Sequence, residues 1–108
     1  DLEMVRISKA VQDGHHTGLA LRLARQAGRE LLLAQNSDVP FVISNGHFVD
    51  RMRQMTMDNL NNFWKLAGMF WRAAQGEDVD PVVVTRLEYD HNIFPGLDPT
   101  AWATEGRS

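Results

Sequence analysis

The chain has 108 residues, 44% of them hydrophobic and 23% charged, with no cysteine and a formal net charge of −3 at pH 7. That composition is ordinary for one folded domain and excludes wholesale disorder, a disulfide scaffold and thiolate chemistry. Nine Lys/Arg face seven Asp/Glu over residues 1–76, but two face seven over residues 77–108, and this acidic C-terminal third disfavours a nucleic-acid partner.

Residues 1–12 predict a short first helix, with Asp1 and Glu3 where a helix N-terminus favours negative charge, Lys9 near the other end, and Leu2, Met4 and Val5 facing inward. Asp13-Gly14-His15-His16-Thr17-Gly18 reads as a turn. A second helix follows over 17–35, with Thr17 as its cap. Ala20, Leu23, Ala24, Ala27, Leu31 and Ala34 share one face, and Arg22, Arg25, Gln26 and Arg29 share the other. Ala20, Ala24 and Gly28 recur every four residues, a ridge that lets a long helix approach closely.

Asn36 to Pro40 is a turn, and Phe41-Val42-Ile43 is a short strand or an extended connector into the core, with Ser44 or Asn45 as the next helix cap. Residues 45–75 then form the longest element, roughly 45 Å at about 1.5 Å per residue. Asp50, Gln54, Asp58, Asn61, Lys65 and Arg72 make a polar stripe. Opposite it lie two apolar seams: Met57, Leu60, Trp64, Ala67, Trp71 and Ala74, and beside them Phe63, Leu66, Phe70 and Ala73. Two seams predict two neighbours. A core or subunit interface is the simpler reading than a ligand or lipid face, and it predicts a loss of about 3–5 kcal/mol for alanine at Trp64 or Trp71. Gly68, lodged between aromatics, predicts the close approach of another backbone.

Gly76 suits the left-handed C-cap that ends this helix. Val82 to Tyr89 is β-branched and reads as extended, within an acidic arm over 77–108. Pro95-Gly96 is a turn, Asp98-Pro99 starts a short helical turn ending near Trp102, and 105–108 should be disordered.

The chemistry is sparse. His15 and His16 with Asp13, the group Glu88, Asp90 and His91, and the pair His47 and Asp50 are conceivable metal ligands, but solvated side chains are the simpler reading. Arg22, Arg25 and Arg29 form a possible anion contact; a solvated stripe, or one countered by the acidic third, is the simpler alternative. There is no GxSxG, P-loop, HExxH or GxGxxG pattern, so no catalytic residue, cofactor or metal is assigned. No apolar run reaches the roughly 18 residues of a membrane span and no signal-peptide pattern opens the chain, which predicts a cytoplasmic protein.

The expected fold is mainly α: one domain, an antiparallel helical hairpin or small bundle with a short extended segment and a C-terminal arm. The second helix is much shorter than the third, so oligomerisation, most simply a dimer, should complete it. The expected function is a non-catalytic protein–protein interaction module, an oligomeric accessory, adaptor or regulatory subunit working through Met57, Leu60, Phe63, Trp64, Phe70 and Trp71. Its expected partner is itself or another protein. The alternatives are a small-molecule or lipid-surface binder using the same Phe/Trp/Met face and, third, a small metal-dependent enzyme.

Overall fold

The computed structural model describes residues 2–14, 18–35 and 46–103, with the backbone alone at 46–50 and 52. Four helices form among them: α1 (Leu2–Asp13), α2 (Leu19–Gln35), α3 (Gly46–Ala74) and α4 (Val82–Asp90). The turn at 36–40, the connector at 41–43, the caps at Thr17, Ser44 and Asn45, the His15-His16 pair and the last residues from 104 lie outside the described residues.

The core is built on α2 and α3, the most extensively packed pair, with α1 touching both and α4 touching α2. Glu30 meets Asn62, and Leu33 borders the same cavity as Met55, the pairing of an antiparallel hairpin. All six residues assigned to the inner face of α2 are buried. On α3 the two seams separate. Phe63, Leu66 and Phe70 are fully buried, each worth about 1.5–3 kcal/mol. In the other seam Ala67 is buried, but Met57 and Trp64 are 56% and 52% exposed. One broad face therefore meets neighbours along one seam and opens to solvent along part of the next.

Within α1, Met4, Val5, Ile7 and Ser8 are buried, whereas Leu2, expected inside, is 81% exposed. At the end of α3 the Glu77 N–H reaches the Arg72 carbonyl at 3.0 Å and the Gly76 N–H that of Ala73 at 3.0 Å, with Gly76 at φ +87°. These are the paired bonds of a Schellman cap, which a left-handed glycine permits.

The segment read as an extended strand, Val82 to Tyr89, is helical. Three valines cost only tenths of a kcal/mol each in helix propensity, and tertiary burial outweighs that. Val84 and Leu87, three apart, are buried, and Arg22 holds Glu88 at 2.6 Å and Thr85 at 3.1 Å. The Asp80 carboxylate accepts the Val82 N–H at 3.0 Å, and Pro81 sets the entry at φ −76°. The acidic arm is accordingly no extended strap; it packs back onto the body. Ser8 donates to the Pro99 carbonyl at 2.6 Å, and Trp102 is 6% exposed.

Two glycines play roles other than those expected. A Cβ on Gly28 would stand 2.8 Å from Trp102 Cη2, so the small-residue ridge of α2 admits this indole at Gly28 rather than the long helix. Gly68 has nothing within 4 Å of where its Cβ would be, so no backbone approaches it.

Candidate functional site

Three helices deliver polar side chains to one place. Glu30 is fully buried on α2. Its carboxylate is met by Gln26 Nε2 at 3.0 Å, Asn62 Nδ2 at 3.1 Å and His91 Nδ1 at 2.7 Å. A carboxylate only accepts, so Nδ1 carries a proton, and Nε2 is left without a partner among the described residues. Three donors offset the several kcal/mol that isolating a carboxylate from water would cost. His91 is placed by the end of α4, where its N–H donates to the Leu87 carbonyl at 2.8 Å. Gln26 also donates to that carbonyl, at 3.2 Å, and so ties the end of α4 to α2.

In front of this cluster lies a cavity of about 480 Å³, bounded by Asp58, Asn59, Asn61, Asn62, Asp90 and His91, with Leu33, Met55 and Leu87 as its apolar part. Its α3 members recur three and four apart, which places them on neighbouring rows of one helix flank. It therefore presents carboxamides, carboxylates and an imidazole edge, and no lysine or arginine.

The residues singled out from sequence scatter. Phe63 and Phe70 are in the core, Leu60 and Trp71 are half-buried, and Met57 and Trp64 face solvent. The Trp71 Nε1 donates to Glu3 at 3.3 Å and Arg6 stands 5.4 Å over its ring, so α1 covers it. The three arginines turn to the C-terminal segment. Arg22 pairs with Glu88, whose hydrogen bond, with its charge, raises the arginine pKa against a smaller lowering by desolvation. Arg25 donates to the Leu97 carbonyl at 3.1 Å. Arg29, expected on the outer face, is buried with Gln26; it donates to Gln26 Oε1 at 2.8 Å and to the Pro95 carbonyl, and desolvation, with Arg25 nearby, lowers its pKa. Among the metal candidates, Glu88 goes to Arg22 and His91 to Glu30. No group of three or more His, Asp or Glu among the described residues could hold a metal ion.

Glu30 escaped the sequence reading, although its position carried a signal. It lies seven residues after Leu23, three after Ala27 and four before Ala34, on the apolar stripe itself. An acid there must find donors inside the fold.

The described residues thus form an all-helical domain with a polar cavity, and none of its helices is long and apolar enough to cross a membrane. Residues 1–102 match the family model described as 1,4-alpha-glucan branching enzyme, C-terminal, and the chain belongs to that family. No match was found among curated proteins or among solved structures. The family assignment overturns the reading of the chain as a standalone non-catalytic accessory, adaptor or regulatory module, because it points to a domain of a catalytic enzyme. The physical reason for the error is plain: a wide apolar face reports burial, and missing motifs within one domain are silent about the enzyme it belongs to.

Proposed function

We propose that this chain works as the C-terminal helical domain of an enzyme that branches 1,4-α-glucan. The observation that supports it is the family match across residues 1–102. The cavity between α2, α3 and α4 offers three carboxamides, two carboxylates and an imidazole as hydrogen-bond partners. The test is to incubate the full-length protein containing this chain with amylose and to count branch linkages by proton NMR. New branch linkages are the expected result; amylose recovered with its linkages unchanged would overturn the proposal.

Self-association along the open flank of α3, with Met57, Leu60 and Trp64 in the contact, belongs to the same reading. It is supported by the length of α3 relative to α2 and by the exposure of Met57 and Trp64. Light scattering at micromolar concentration should give a dimer, and a monomer would remove this part. A cytoplasmic location, in keeping with a chain free of cysteine, is checked by cell fractionation.

A further inference from the structure

We propose that α3 docks on itself: a second copy of the chain lays its own α3 antiparallel against this one, on a two-fold axis through Asn61. The inference rests on the self-association proposed above and supplies its register and its specificity.

The docking strip is the solvent side of α3. Gln54, Met57, Asp58, Asn61, Trp64 and Lys65 are all exposed. At about 100° per residue they fall within roughly a third of the helix circumference, with Asn61 on the midline. Gly68 continues the strip, with nothing within 4 Å of where its Cβ would be.

The order of residues along the strip selects the occupant, because it is self-complementary about Asn61. Met57 and Asp58 stand four and three residues before it, and Trp64 and Lys65 three and four after it. By helical phase, Met57 and Trp64 lie to one side of the midline, Asp58 and Lys65 to the other. An antiparallel two-fold keeps the sides and exchanges the ends. Asp58 therefore meets the copy's Lys65, and Met57 meets the copy's Trp64, opposite charges on one side and a thioether against an indole on the other. Asn61 meets its own counterpart, and a carboxamide, with donors and an acceptor side by side, can pair with itself. Gln54 and Gly68, seven residues either side of the axis, also face each other, so an amide side chain enters the open space at the glycine.

Other arrangements set like against like. A parallel pair places Asp58 level with Asp58 and Lys65 level with Lys65. An antiparallel pair shifted to seat Trp64 on the copy's Gly68 brings the two Lys65 ammonium groups within one turn of each other. In the Asn61 register they are eight residues, about 12 Å, apart along the axis. Both charges are available for the contact. Lys65 makes no ion pair among the described residues, and Gln54 occupies one oxygen of Asp58, at 2.9 Å.

The test measures dimerisation of the full-length protein containing this chain by light scattering, at micromolar concentration and low salt. Asp58→Lys and Lys65→Asp, each alone, face like charges twice across the axis and should weaken the dimer about tenfold. The two substitutions combined should restore it. Positions 58 and 65 are seven apart on one helix, beyond the reach of neighbouring turns, so such a rescue acts between copies. Asn61→Cys should give a disulfide-linked dimer on mild oxidation. Gln54→Cys, about 21 Å from its counterpart in this register, should not. A monomeric wild type would overturn the self-association and this register together. A dimer that the combined variant fails to restore, or that Gln54→Cys links as readily as Asn61→Cys, would overturn the register alone. A dimer indifferent to every charge reversal would overturn the docking strip and show that the copies meet elsewhere.

Discussion

Two places on α3, one heptad and so about two turns apart, repeat the same pair, Phe63-Trp64 and Phe70-Trp71, and the molecule treats them differently. In both, the phenylalanine is fully buried and the indole meets it edge-on, with centroids 5.1 Å and 5.0 Å apart and planes at 73° and 76°. At the second pair α1 lays Arg6 over the ring and Glu3 against its Nε1. At the first, Trp64 is 52% exposed among the described residues. The local sequence makes the same aromatic step twice. What differs is whether another helix reaches it, so burial along a heptad seam belongs to the partner element as much as to the seam.

The largest effect should be common to both turns: Phe63→Ala and Phe70→Ala should each cost about 3–5 kcal/mol in urea unfolding, since each opens a cavity in the core. A large gap between these two would break the equivalence of the buried halves. Next come the tryptophans, for which the structure replaces the single expectation of about 3–5 kcal/mol with two. Trp71→Ala should cost about 2 kcal/mol and Trp64→Ala less than about 1 kcal/mol. Equal losses would mean that Trp64 is covered in solution. Smaller still is the coupling between Arg6 and Trp71. A double-mutant cycle on Arg6→Ala and Trp71→Ala should give about 0.5–1 kcal/mol, and the same cycle with Trp64→Ala none.

The smallest effect concerns the third tryptophan, covered like Trp71 but by α2 at Gly28. The turn leading to it is held by Asp98, whose carboxylate accepts the Thr100 N–H at 2.9 Å and hydroxyl at 2.7 Å. Those two bonds, the backbone one first, lower its pKa below 3.8. A depressed carboxylate stabilises the fold fully above its unfolded value and loses that contribution as pH falls through the folded one. For so exposed a group the amount is below about 1 kcal/mol. The stability gap between the wild type and Asp98→Ala should therefore be small at neutral pH and shrink below pH 3.8; a gap that grows on acidification would show that the carboxylate is not what holds the turn.

Much of the helical plan was legible in the chain. The apolar period of α2, the Phe63, Leu66 and Phe70 seam, and the Gly76 stop are local signals, and each stands in the structure. Asp98-Pro99, read as a helical start, opens only successive turns, with the Ala101 N–H on the Asp98 carbonyl at 3.0 Å, while Asp80-Pro81 does precede a helix that three valines made read as extended. There the β-branched residues biased a segment whose conformation was decided by burial of Val84 and Leu87 against the body.

The candidate site was far less legible. His91 was noted only as a possible metal ligand, and Glu30, Asn59 and Asn62 were assigned no role. None of these side chains has chemistry of its own at its sequence position. Glu30 and His91 lie 61 residues apart, and only packing of α4 on α2 brings a carboxylate to the imidazole.

The sequence by itself determined where the first three helices run, where α3 stops and which stripe of α2 is apolar, because propensity, caps and periodicity act within a few residues. Only the tertiary structure decided which seam of α3 is buried, that the valine segment is a helix, that Trp102 rather than another helix meets Gly28, and that Asn62 and His91 meet at Glu30. Those outcomes depend on desolvation and on partners far away in the chain, and a short window of sequence contains neither.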